Sequence, residues 1–470
     1  MKVAILGAGL TGLTAGYKLA QAGHEVHVFE KEKKAGGLAR GFKLPGWDWH
    51  LDETYHHLFT SDKEAIELIN ELGLAKKLFF QKPETTVYYQ SQEHKNTSSS
   101  VILNLIQNLY RFRVKPGMTK KPKPITNSNI YPLDTPLNFL RFPHLSPLDK
   151  LRSGTALAYL KSISSWQHLE KTPAKKWIEK YMGKKVWQVL WKPLFINKFG
   201  KSADQVSAAW FWARIKKRSQ SLGYIEGGFQ TLVEKLVKEI EKLGGKVYLN
   251  HEVKNLTLIK HQPNQKFSFQ VKNSCDDRPM NFYFEKVITT LPTPFFLKTT
   301  KGLSQNYIKI LSSIKHLNAL TLILVLKKPF FDKTYWLNIC DSSFPFLLLV
   351  DHTNFIKPQH YGGQHILYIG NYLPDGHPYL KKSKKELLNL FLPYLKRINP
   401  SFNNQQSTIN NQQFISKHSQ PVFPPHYSQI LTSLTTPLPN LFLANQDLVY
   451  PWDRGTNYAI KLGKKVAKLI

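Results

Sequence analysis

Cysteine is nearly absent: Cys275 and Cys340 are the only two in 470 residues. That excludes a disulfide framework and makes a reducing cytoplasm the natural setting. Long apolar runs are missing too. No stretch approaches the roughly 18 residues a membrane-spanning helix needs, and the longest candidate, Ala319 to Leu326, reads as a strand. No secretory signal is expected, because an apolar strand already begins at residue 3. Acids are scarce, with 32 Asp and Glu against 65 Lys and Arg, which leaves a net charge of +33. Arginine is scarcer still, 10 against 55 lysines spread along the whole chain. Base reading and bidentate phosphate contacts favour arginine. With no nucleic-acid motif in view, nucleic acid is not an expected partner. A peripheral contact with an anionic membrane at its inner face stays open, beside a general lysine bias of the surface.

The chain is long for one core, so two domains are expected. Its 42% hydrophobic and 13% aromatic content suits a folded protein. Glycine is placed tellingly. Val3-Ala4-Ile5-Leu6 is apolar on both faces, as a strand inside a parallel sheet must be. Gly7-Ala8-Gly9-Leu10-Thr11-Gly12 follows, then Leu10, Leu13, Tyr17 and Ala20 at helical spacing, then Val26 to Phe29, ending on Glu30. In such a unit Gly7 permits a tight turn, Gly9 lets a pyrophosphate approach the backbone, and Gly12 lets helix and strand pack closely. The helix start offers unpaired N–H groups to phosphates. Glu30, 18 residues past Gly12, is placed to accept from an adenosine ribose. This motif does not separate NAD from FAD.

The next residues do. Glu30-Lys31-Glu32-Lys33-Lys34-Ala35-Gly36-Gly37-Leu38-Ala39-Arg40 sets a glycine pair six and seven residues after the acid. This resembles the signature of the flavoprotein superfamily of amine oxidases, protoporphyrinogen oxidases and phytoene desaturases. The resemblance implies FAD, with Lys31, Gly36, Gly37 and Leu38 in its site and a basic residue beyond. Arg40 sits three residues after Gly37, where many members have it immediately after, so its part stays open. Gly227 to Leu232 resembles the superfamily's GGxxxL helix, and Val253 occupies the place of a valine whose backbone meets adenine. Thr290-Leu291-Pro292 resembles its return strand. Near the end, Pro439 to Ala444 reads as a buried strand, and Arg454-Gly455-Thr456-Asn457 opens a helix running to Ile470. The resemblance implies that this helix start turns N–H groups to the flavin pyrimidine, which stabilises charge there on reduction, with Asp447 at the ribityl chain. No cysteine lies nearby, so non-covalent FAD is expected, and an NAD-only dehydrogenase has no use for the glycine pair.

The expected fold is therefore α/β: a discontinuous Rossmann-type FAD-binding domain over 1–80, 220–300 and 435–470, with an interleaved α+β substrate domain over 81–219 and 301–434. Residues 81–150, punctuated by prolines, read as an insertion with little regular structure except around Val101 to Phe112. Between 161 and 217 lie six of the ten tryptophans and thirteen basic residues against three acids. An interfacial helix and a cap with inward tryptophans both fit, and the inward cap is preferred. Tyr55-His56-His57 stands out as a polar stretch whose histidines are the catalytic candidates, able to supply an acid or base near neutral pH. No metal site is expected, because adjacent histidines rarely share one ion.

The function this implies is an FAD-dependent oxidoreductase moving a hydride from a C–H of a small-molecule substrate, an amine or a lipophilic compound, to flavin N5. Two alternatives stay open. One is a redox-neutral mutase resembling UDP-galactopyranose mutase, disfavoured by the scarcity of arginine. The other is a non-enzymatic flavin-binding protein.

Overall fold

Lys2–Leu6 forms the middle of a five-stranded parallel sheet, in the order Lys246–Tyr248, Glu25–Phe29, Lys2–Leu6, Lys286–Thr289 and Leu441–Leu443. Its Val3, Ala4, Ile5 and Leu6 are wholly buried, which explains a run with no polar alternation. The computed structural model describes residues 1–90, 129–260, 265–273, 276–430 and 433–470. The expected segment around Val101 to Phe112 and Cys275 lie outside the described residues. Helices Leu10–Gln21, Phe229–Lys242 and Thr456–Ala467 flank the sheet, each burying one apolar stripe. Strands from the start, middle and end of the chain thus share one sheet, and all five point the same way.

The stretch from Asp276 to Thr289 forms two strands. Asp276–Phe284 closes an antiparallel three-stranded sheet with Gln265–Asn273 and His251–Lys260, and Lys286–Thr289 enters the parallel sheet. Packing decides the break, because Phe269 and Phe282 seat edge-on against Phe29, at 5.2 and 5.0 Å between ring centres. The chain then turns at Glu285, whose N–H donates to the Lys2 carbonyl at 3.1 Å.

A seven-stranded sheet forms the other half, from Thr408–Pro421 through His316–Leu326, His365–Leu373, Leu348–Asp351, Thr334–Ile339 and Glu84–Tyr88 to Ile130–Pro132. Residues 129–150 are more regular than their prolines suggest. Pro136 and Pro147 open helices Pro136–Arg141 and Pro147–Ser162 from the first turn, where no N–H is needed. Thr135 and Ser146 cap them, the latter in a full capping box with Asp149. Helices between 167 and 217 form a cap on the cleft. Trp177, Trp187, Trp210 and Trp212 are buried in it, so the tryptophans pack inward. No described helix is long and apolar enough to cross a membrane. Asp351 and Asn354 serve local structure: Asp351 accepts from the N–H groups of Phe330 and Phe331 at 2.9 and 3.0 Å, and Asn354 donates to the Phe331 carbonyl at 2.9 Å.

Asp52 links the halves. Its carboxylate accepts from the Tyr224 hydroxyl at 2.8 Å and the Phe229 N–H at 3.2 Å, and its carbonyl accepts from Tyr368 at 2.7 Å. Burial pushes the carboxyl up to about 8, against the pull of those two donors. An unfolded chain holds that proton only below about pH 4. The stability that protonation contributes is therefore complete below about pH 4 and is lost as pH climbs through about 8. Each pH unit inside the window removes about 1.4 kcal/mol at most. Asp52→Asn keeps the shape and carries no proton to lose, so its melting temperature should fall less between pH 6 and pH 8 than that of the wild type. Parallel slopes in thermal unfolding would remove Asp52 as the cause.

Candidate active site

A cavity of about 980 Å³ runs along the carboxyl ends of the parallel strands and under the helical cap. At one end lies the first glycine turn. Gly9 precedes helix Leu10–Gln21 with an extended backbone and no capping side chain, so the first N–H groups of that helix stay free. A Cβ built on Gly9 would meet nothing nearer than Gly37 Cα at 3.9 Å. One built on Gly12 would stand 2.0 Å from the Gly7 carbonyl oxygen. Gly12 is thus set by helix–strand packing, whereas Gly9 leaves open space in the cavity. The second glycine turn is laced to the first, with the Gly36 N–H donating to the Ala8 carbonyl at 2.8 Å. Glu30 holds the same loop through the N–H groups of Ala8 at 2.9 Å and Glu32 at 3.1 Å.

Gly7, Gly9, Leu10, Thr11, Glu30, Lys31, Gly36, Gly37, Leu38, Arg40 and Val253 all line this cavity, and Gly12 stands just behind it. Arg40 reaches the wall already paired, gripping Glu53 with two bonds of 2.8 and 3.0 Å and lying 3.4 Å from Glu32. Gly455, Thr456 and Asn457 line the far wall at the start of helix Thr456–Ala467. The Asn457 side chain is committed elsewhere, accepting from the Ala65 N–H at 3.1 Å. Asp447 corrects the expectation. It is absent from the cavity wall, and its carboxylate turns away to the Thr293 hydroxyl and to His316 Nε2, the latter at 2.8 Å. Asn445 and Gln446 take the wall positions instead.

His56 and His57 line the other end, with Tyr55. Burial pushes His56 down to about 4, helped by the Arg454 guanidinium. His57 falls to about 3 through burial, then Arg218 and Arg214. Both rings are neutral at pH 7, which fits hydrogen bonding and not a proton reservoir near neutrality. Apart from Arg454, their surroundings are residues that sequence reasoning did not single out. Trp336 meets Tyr55 and His57 edge-on at 5.0 and 5.6 Å. Asp453 accepts from Lys198 at 2.8 Å and Arg214 at 3.0 Å, and Arg454 donates to the Tyr372 hydroxyl. One local signal was available: Arg214 and Arg218 fall four apart, the first in the last turn of helix Ala208–Lys217 and the second just past its end. Among the described residues no cluster of three or more His, Cys, Asp or Glu is arranged to hold a metal ion.

This geometry agrees with the chain's relatives. The family model for flavin-containing amine oxidoreductases matches residues 10–470. The chain belongs to that family. An L-amino-acid oxidase of Sistrurus catenatus edwardsii is 31% identical over 121 residues, 26% of this chain and 21% of that protein. Protoporphyrinogen oxidase 2 of Arabidopsis thaliana is 25% identical over 307 residues, 62% of this chain and 57% of that one. The matches thus span about a fifth to just over half of these relatives' length. Among solved structures, an oxidoreductase from Methanosarcina mazei aligns over 100% of both chains at 18% identity with a TM-score of 0.68. Reduced UDP-galactopyranose mutase gives the same score at 13% identity, over 100% of this chain and 96% of that one. At such identity these two likenesses speak for the fold. As a family member the protein uses FAD, and the residues present fit it: a glycine cradle open to the cavity, free helix N–H groups and a long enclosed cleft. The flavin is held without a covalent bond. Cys340, the one cysteine among the described residues, is buried away from the cavity wall, with its thiol pushed up to about 12 by burial.

Proposed function

We propose that this flavin amine oxidoreductase family member oxidises an organic substrate by hydride removal from a C–H bond, in the chamber beside Tyr55, His57 and Trp336. One observation carries the reading: a single cavity joins the glycine cradle to that aromatic chamber. We assign the diphosphate of FAD to Gly7, Gly9, Leu10, Thr11 and Gly12, with Gly36, Gly37 and Leu38 closing over it and Lys31 and Arg40 at its edge. Glu30 accepts from the ribose, the Val253 backbone meets the adenine, and the N–H groups of Gly455, Thr456 and Asn457 face the ring system. When bound, FAD supplies the hydride acceptor. The chain's own residues orient the substrate and exclude water from it. His57 lines the chamber with a neutral ring, and we assign it to orienting the substrate. His56, neutral beside it, is the second orienting imidazole.

A second reading rests on a specific observation. Arginine is scarce in the chain, yet Arg214, Arg218 and Arg454 all reach this cavity. A mutase acting on a nucleotide sugar would use such groups on a diphosphate. Anaerobic mixing separates the two. An oxidoreductase's flavin absorbance should bleach when the oxidised holoenzyme meets its substrate, with no reductant added. Turnover of a nucleotide sugar by pre-reduced protein, with none by the oxidised form, would replace the first reading with the second.

A further inference from the structure

We propose that the paired helices Pro136–Arg141 and Pro147–Ser162 form a docking surface for an anionic lipid membrane. The buried tryptophans of the stretch 161–217 do not supply an apolar contact, because they pack inward. The outer turns of these two helices do. Leu137 and Leu140 are 55% and 56% exposed, and Leu148 and Leu151 are 64% and 65% exposed. A leucine standing singly in solvent is ordinary, whereas a cluster marks an interaction site. Of the six exposed leucines among the described residues, these four fall within fifteen residues of sequence. Phe142 and Leu145, in the link between the helices, are buried and anchor the pair. Ser153, Ala156 and Leu160 already form the buried inner face of the longer helix. Leu148, Leu151 and Tyr159, at i, i+3 and i+11, form a second face left in solvent.

Two basic side chains gather this face into one patch. Lys150 Nζ donates to the Leu140 carbonyl at 2.7 Å and pins the end of the shorter helix beside the start of the longer one. Arg152 donates to the Lys180 carbonyl at 2.8 Å and draws in the end of helix Ala174–Tyr181, where Tyr181 is exposed too. Charge then chooses the occupant. The three helices, with Lys184 and Lys185 just beyond, carry nine lysines and arginines against two acids, Asp149 and Glu179. Asp149 is already engaged in the cap with Ser146. Two copies of this chain would bring two basic rims together, each on a protein of charge +33, which disfavours a self-interface. An anionic lipid surface attracts the same rim, and its acyl boundary takes the leucines. Leucines on outward helical turns, tyrosines beside them and lysines around them are the composition of an interfacial surface. Helices of 6 and 16 residues are too short to span a bilayer, so the contact is peripheral.

The test sediments the full-length holoprotein with vesicles of phosphatidylcholine, alone or mixed with phosphatidylglycerol. Binding should be strong on the anionic mixture, weaken with added salt and be slight on phosphatidylcholine alone. Lysines elsewhere on the chain would give that much, so the leucines decide. Leu148→Ser with Leu151→Ser leaves every charge in place and should weaken binding about tenfold or more, through the apolar area lost from two side chains. Leu137→Ser with Leu140→Ser should act in the same direction, so the result does not depend on one variant. Leu243→Ser with Leu469→Ser, at exposed leucines elsewhere, should leave binding unchanged. No binding to the anionic vesicles, binding that ignores both serine pairs in the patch, or equal losses in all three variants would overturn the surface. Sedimentation of lipid-free protein tests the other occupant: a dimer that either pair dissociates would assign the face to a second copy and overturn the membrane. Flavin content and thermal unfolding confirm that folded protein is being compared.

Discussion

Gly9→Val protein should purify folded and colourless. In the protein itself a Cβ at Gly9 has room, its nearest neighbour being Gly37 Cα at 3.9 Å. The backbone there has φ −76° and ψ 174°, which any residue adopts. The fold therefore tolerates the change. The methyl groups, however, would stand in the cavity over the free N–H groups that begin helix Leu10–Gln21, where the diphosphate must lie against backbone. Losing that approach should weaken FAD binding by at least about 100-fold, or roughly 2.7 kcal/mol. Gly12→Val makes the contrast, since its Cβ would sit 2.0 Å from the Gly7 carbonyl oxygen and the turn itself would have to break. Flavin-to-protein ratio and FAD titration measure the first effect, and thermal unfolding separates it from the second. Wild-type flavin content in Gly9→Val would mean that Gly9 shapes only the turn.

The sequence carried these elements because their causes are local. An apolar run without alternation, a glycine turn and a helix at 3.6-residue spacing are each written within a dozen residues, and the structure holds Lys2–Leu6 and Leu10–Gln21 where that pattern puts them. Lys384–Ile398 was equally legible, with Pro393 inside it. Other features depend on contacts between distant parts of the chain. Asp447 sits in the right neighbourhood in sequence, but the short 3₁₀ turn Gln446–Val449 rotates it toward Thr293 and His316, 154 and 131 residues away. Arginine scarcity is a blunt signal for a related reason. A composition is an average over the chain, whereas four of the ten arginines line one cavity only through the fold. Prolines misled in the stretch before 150 because the residue that breaks a helix interior also starts one. The caps Thr135 and Ser146, standing just before Pro136 and Pro147, were the signal that distinguishes the two cases.

Asp453→Ala should be among the most destabilising single changes in the cleft. The carboxylate is buried between Lys198 and Arg214, and Gln420 also donates to it at 3.1 Å. Burial alone would raise its carboxyl, but the two cations override that and hold it below the usual carboxylate range. Its contribution is therefore complete above about pH 4, where an unfolded aspartate is ionised, and is lost only as pH falls into strong acid. Removing it leaves Lys198, with a side chain only 13% exposed, as an unmatched charge among Phe199, Trp210 and Tyr372. Breaking a buried pair from one side costs about 3–5 kcal/mol. If the loss arises from the stranded lysine, removing that charge as well should recover much of it. Lys198→Met with Asp453→Asn places an apolar chain among the same three rings and keeps an acceptor for Gln420. Urea unfolding at pH 7 should rank the wild type and the double variant well above Asp453→Ala. Equal stability of Asp453→Ala and the wild type would mean that solvent in the cavity already satisfies Lys198, and the ion pair would then be a device for aiming Arg214 instead of a strut for the fold.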